Sequence, residues 1–110
     1  MAETINKRLQ NFKRFLQKLM GTEYCNQMVN QLVKLNPYEN KQIEIFQNWA
    51  TIQKEEQYDF VIWLVGAINS LYKSTRYTTG YKLSVVNATE RRAILNEVQM
   101  IIKEEAKAMV

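Results

Sequence analysis

Helix breakers are scarce in this chain: one proline, Pro37, and three glycines, Gly21, Gly66 and Gly80, stand among 110 residues. Such a chain has few places to turn, and between them its apolar residues recur at helical spacing. Three punctuation points divide it: Gly21-Thr22, Asn36-Pro37, and the stretch from Ser74 to Asn87 that holds Gly80. In the first segment Ile5, Leu9, Phe12, Leu16 and Leu19 step by four, three, four and three, one stripe of a helix that Thr4 caps and Gly21 ends. Thr22 then serves as the next N-cap. Cys25, Met28, Val29, Leu32 and Val33 repeat the spacing up to Asn36, making Gly21-Thr22 a tight corner between two helices. Asn36 followed by Pro37 marks the start of a third helix, because proline lacks the N–H that a first turn leaves unpaired.

From Tyr38 to Lys73 the only breaker is Gly66, so the next boundary must be read from phase. Tyr38, Ile45, Trp49 and Ile52 share one face. The apolar set then shifts to Phe60, Val61, Ile62, Trp63, Leu64 and Val65, apolar all round and so expected at the centre of the core. Thr51 to Asp59 either holds a turn, with Asp59 as N-cap, or lies within one long bent helix. The β-branched and aromatic content of Tyr58 to Val65 would also suit a buried strand. Length favours a helix, because Ala67, Ile68, Leu71 and Tyr72 continue the helical spacing. Arg76 to Val86 breaks that pattern, and its Thr, Tyr and Val residues around Thr79-Gly80 predict a short β-hairpin or an extended loop. Asn87 and Glu90 have the spacing of a capping box, and a long last helix follows. The expected fold is all-α: one domain over residues 1–110, a bundle of four to five helices with a hairpin or loop before the last.

Residue inventory narrows the chemistry. There is no His and a single Cys, Cys25, so Cys/His zinc sites, Cys/His nucleophile pairs and Ser-His-Asp triads are excluded. Gly80-Tyr81-Lys82 lacks the rest of a phosphate-binding loop, and no cofactor motif is present. Glu39, Glu44 and Asp59 fall on helix surfaces or ends. The pairs Glu55-Glu56 and Glu104-Glu105 are adjacent on helices and point about 100° apart, so they do not converge for acid-base work. The expectation is a protein without catalytic residues, metal or cofactor. One Cys gives no internal disulfide, and the longest apolar run, Phe60 to Ile68, is about half of what a bilayer requires. Both point to a cytoplasmic chain with no transmembrane segment.

Charge is spread unevenly. Residues 1–35 carry a net +4, residues 36–73 a net −2 and residues 74–92 a net +3. Lys7, Arg14 and Lys18 lie opposite the apolar stripe of the first helix, with Arg8 and Lys13 flanking it. Such a face can meet phosphates, lie on an acidic membrane or protein, or simply stay solvated. The second basic block interleaves Tyr72, Lys73, Arg76, Tyr77, Tyr81 and Lys82, with Arg91 and Arg92 following on the last helix. Rings and cations on an exposed turn can stack bases or enter a groove, although the same tyrosines could cover a core edge. Helices, a basic hairpin and a long terminal helix are also the element order of a winged helix-turn-helix dimer, yet no segment reads as a recognition helix.

On the last helix Ile94, Leu95, Ile102 and Met109 belong to a stripe wider than one neighbour needs, which predicts a homodimer. Abundant Asn, Gln, Lys, Ile and Tyr match an AT-rich coding sequence and suit an accessory protein of a virus or mobile element. Together these features lead to the expectation of a small regulatory protein that binds nucleic acid through Lys7, Arg14, Lys18, Lys73, Arg76, Tyr77, Tyr81, Lys82, Arg91 and Arg92. The alternative is a module that binds a protein partner and does not contact nucleic acid.

Overall fold

The computed structural model describes residues 7–35, 39–77 and 86–108, and among these it contains six α-helices, one 3-10 turn and no strand. The helices are α1 (Lys7–Gln10), α2 (Phe12–Met20), α3 (Thr22–Leu35), α4 (Lys41–Gln47), α5 (Lys54–Tyr77) and α6 (Ala88–Ala108), with the 3-10 turn at Trp49–Thr51. The all-α class is therefore as expected, with one helix more than foreseen. The extra helix arises at Asn11, where the first segment breaks into α1 and α2. At that joint the Trp49 indole N–H donates to the Gln10 carbonyl at 3.2 Å, and entry of a side-chain donor beside the ladder is a recognised cause of a helix break.

Gly21 is the residue that turns α2 into α3. Its N–H donates to Gln17 O at 2.8 Å, its carbonyl accepts from the Cys25 N–H at 2.9 Å, and its φ of 87° and ψ of 144° lie where only glycine is at ease. Thr22 is consequently the first helical residue rather than the cap. The cap expected at Thr4 and the start expected at Pro37 lie outside the described residues, and α4 begins at Lys41. A turn does separate α4 from α5, but it lies at residues 48–53, ahead of most of the expected stretch 51–59. It is made by the 3-10 turn and Ile52, so α5 starts at Lys54 and Asp59 is an exposed mid-helix residue, not an N-cap. At the far end α5 continues to Tyr77, so Arg76 and Tyr77 are helical instead of opening a hairpin; residues 78–85 lie outside the described residues.

The core forms where the stripes meet. Leu9, Phe12 and Leu16 from α1 and α2 pack with Cys25, Met28, Val29, Leu32 and Val33 from α3, and with Phe60, Val61, Leu64 and Ile68 from α5. From α6 come Ile94, Val98 and Ile101. Trp49 sits at the crossing: its ring lies 6.2 Å from Phe12 and 5.5 Å, edge to face, from Phe60. Its carbonyl accepts from the fully buried Gln57 Nε2 at 2.6 Å. This bond satisfies the donor half of the carboxamide, leaving its Oε1 buried without a hydrogen-bond partner, and ties the 3-10 turn to the first turns of α5.

Helices α5 and α6 run antiparallel, because Lys54 pairs with Glu105 at 3.2 Å while Asn69 Oδ1 accepts from Arg91 Nη2 at 2.8 Å. The capping box at the start of α6 is formed: Asn87 Oδ1 accepts from the Glu90 N–H at 2.8 Å, and Glu90 Oε1 accepts from the Asn87 N–H at 3.1 Å. Among the described residues no helix is long and apolar enough to cross a membrane.

Candidate functional site

Several cations that the sequence offered to an outside partner are held by the protein itself. Arg8 Nη1 pairs with Glu97 and Arg8 Nε with Glu104, both at 2.9 Å, fastening α1 to α6. Lys13 Nζ donates to Phe46 O at 2.6 Å and to Gln47 O at 3.5 Å, and lies 4.8 Å from the Phe46 ring centroid. It closes the carbonyl end of α4, where the last backbone acceptors have no intrahelical donor and a cation is favoured. Arg91 is bound to Asn69. Among the expected basic residues whose side chains are described, Lys7 on α1, Arg14 and Lys18 on α2, and Arg92 at the start of α6 are exposed. Lys73, Arg76 and Tyr77 are placed by their backbone on the last turns of α5, while Tyr81 and Lys82 lie outside the described residues.

The expected dimer stripe is split: Ile94 leaves it for the core, while Leu95 and Ile102, seven residues apart, stay on one side of α6. Ile94 is fully buried in the core, Leu95 is half-buried and Ile102 is 39% exposed, while Met109 lies outside the described residues. Met100 is exposed too, but two positions along a helix are about 200° apart, so Met100 and Ile102 make no common patch.

The sequence did not foresee a groove of about 620 Å3 between α4 and α5, open to solvent. Its apolar lining is Ile45, Ile52, Ile62 and Trp63. Ile62 is 43% exposed, although the apolar run from Phe60 to Val65 predicted burial all round. The rim carries Glu39 just before α4, Glu44 on α4, and Glu56 and Asp59 on α5, against one cation, Lys41. Glu56, Asp59 and Trp63 sit at i, i+3 and i+7, which places them within about 60° of one another on α5. That spacing is the signal through which the sequence could have given the α5 wall.

Gln42 lines the same groove. It is only 4% exposed, its Nε2 reaches Glu39 Oε2 at a long 3.5 Å, and its Oε1 is buried without a hydrogen-bond partner. Trp63 is half-buried, its ring 5.4 Å from that of Phe60, so the core aromatic network extends to the groove wall. A groove of this size, with an apolar floor and a rim of four carboxylates against one lysine, suits a segment that is itself apolar and basic. Among the described residues no three Asp, Glu or Cys side chains form a metal-binding group.

A second cavity, of about 360 Å3, lies among α2, α3 and α4. It is lined by the amides of Gln17, Asn26, Asn30 and Gln47 beside Lys13, which is already engaged with α4. Two other titrating groups are perturbed by structural surroundings. Burial pushes the Cys25 thiol from 9.0 up to about 12, against a smaller downward pull from Lys13, so it is a core thiol and not a nucleophile. Burial and then the negative charge of Glu90 raise the Tyr24 phenol above its usual 10.0.

Comparison with protein-family models, with curated proteins and with solved structures finds no match for this chain.

Proposed function

We propose that this protein is a small non-catalytic interaction module that binds a protein partner, taking an apolar and basic segment of that partner into the groove between α4 and α5. The observation that carries this reading is the groove's composition: four carboxylates and one lysine around a floor that leaves Ile62 exposed. An exposed isoleucine beside a half-buried tryptophan gives apolar contact area, and the surrounding acids select the sign of what approaches. The same rim repels a phosphate backbone.

A second reading keeps the nucleic-acid expectation on different ground. Lys7 on α1 and Arg14 and Lys18 on α2 are exposed, and no acidic residue interrupts α1 or α2. Three phosphate contacts would give modest affinity with a clear salt dependence.

Fluorescence polarisation separates the two. The probes are a labelled amphipathic leucine-lysine peptide, a short DNA duplex and a single-stranded RNA, each at roughly 50 and 200 mM salt. The proposal expects the peptide to bind and Ile62→Lys to weaken it by about tenfold, since that change removes apolar contact and places a like charge in the groove. Salt-sensitive binding of either nucleic acid at roughly 50 mM salt, lost in the Lys7, Arg14 and Lys18 triple alanine variant and accompanied by no peptide binding, would replace it with the second reading.

A further inference from the structure

Resting on the groove reading above, we infer that the groove recognises arginine in particular: a guanidinium of the incoming segment lies against Trp63 and is held by the carboxylates of both walls. The polar groups offered there are almost all acceptors. Glu39 and Glu44 come from one side, Glu56 and Asp59 from the other, and Lys41 is the one cation. Gln42 adds to this surplus, because its buried Oε1 has no partner and its Nε2 makes only a 3.5 Å contact with Glu39. So weak a contact lets the carboxamide turn toward a better donor, and an entering cation beside Glu39 supplies one.

Shape then distinguishes the two basic side chains. Lysine presents a compact, strongly hydrated point charge. Arginine presents a flat cation with five N–H donors, less strongly hydrated, that can stack on an aromatic ring while its edge meets carboxylates. Asp59 and Trp63 are one turn apart on α5, which sets a carboxylate beside a ring. Trp63 is half-buried with its ring 5.4 Å from that of Phe60, a contact that restrains it, and cation-ring attraction is greatest for tryptophan.

The test uses the intact protein and three capped amphipathic peptides of identical leucine and alanine pattern, whose basic positions are all arginine, all lysine or all citrulline. Isothermal titration calorimetry is run at about 100 mM salt. The inference expects the arginine peptide to bind at least about fivefold tighter than the lysine peptide, with no heat from the neutral citrulline peptide. Trp63→Leu and, separately, the exposed Asp59→Asn are expected to remove the arginine preference, whereas Glu55→Gln, the same charge change on α5 outside the groove, leaves it. Equal affinity for arginine and lysine overturns the guanidinium inference and leaves the groove reading standing. A preference that survives both Trp63→Leu and Asp59→Asn also overturns it, by placing the anchor elsewhere. Absence of binding by every peptide ends the groove reading and this inference with it.

Discussion

Replacing Lys13 by methionine tests the claim that this cation is part of the fold. Its ammonium makes a 2.6 Å bond to Phe46 O, a longer one to Gln47 O, and sits 4.8 Å from the Phe46 ring. A hydrogen bond to a charged donor contributes about 1.5–3 kcal/mol when well protected, the ring about 0.5–1, and the helix end about 0.3–1. These figures overlap, because one ammonium serves all three roles and Lys13 is half-buried, so water can reach the freed carbonyls. A net loss of about 1.5 kcal/mol is the result. With a urea slope of about 1.5 kcal/mol per molar, the unfolding midpoint followed by circular dichroism falls by about 1 M. Lys13→Gln keeps a neutral donor and is expected to lose about half as much. A midpoint for Lys13→Met within about 0.2 M of the parent, at unchanged slope, would refute the reasoning and return Lys13 to the solvated basic face.

Further expectations follow from the two described glycines, the buried thiol and the start of α6. Gly21→Ala has open space around the new methyl but a φ of 87°, so it should destabilise by about 1–3 kcal/mol, read by thermal unfolding. Gly66→Ala, in the middle of α5 with open space and no positive φ, should stabilise by up to about 1 kcal/mol in the same assay, and a loss there would count against the helix geometry. Cys25 should stay unreactive to a thiol reagent at pH 8 until the protein unfolds. Because burial holds its proton up to about 12 in the folded state, stability is full below 9.0, where both states are protonated, and falls as the pH rises from 9.0 toward 12, where the unfolded thiol ionises first. Cys25→Ser should flatten its part of that alkaline decline. Asn87→Ala should cost about 0.5–2 kcal/mol, and adding Glu90→Ala should cost less than the sum of the two, since both serve one reciprocal cap.

How far the fold could be read from the sequence depended on the range of each interaction. The stripe Leu9, Phe12, Leu16 and the stripe Cys25, Met28, Val29, Leu32, Val33 are buried as their spacing required, because a helix places those residues on one face before any tertiary contact forms. The Asn87 and Glu90 cap is local as well. The break at Asn11 was not legible, since the Trp49 indole that bonds the neighbouring Gln10 carbonyl comes from 39 residues beyond Gln10. Nor was the capture of Arg8 by Glu97 and Glu104, which only the packing of α1 on α6 brings within reach. Basic residues looked available for a phosphate because a sequence shows charge without showing its neighbours. The groove was hidden for the opposite reason: Glu39 and Glu44 meet Glu56 and Asp59 only when α4 folds back on α5. Ile62 read as core because its neighbours Phe60, Val61 and Leu64 are core, yet it points away from them.

The proposed meeting place of this protein and its partner is the groove between α4 and α5. Amide chemical-shift mapping of the 15N-labelled protein during titration with the leucine-lysine peptide tests it directly. Shifts are expected to concentrate at residues 39–45 and 52–63, with the amides of α1, α2 and α3 unmoved. Shifts centred on Lys7, Arg14 and Lys18, or spread evenly over the surface with the groove unchanged, would contradict it.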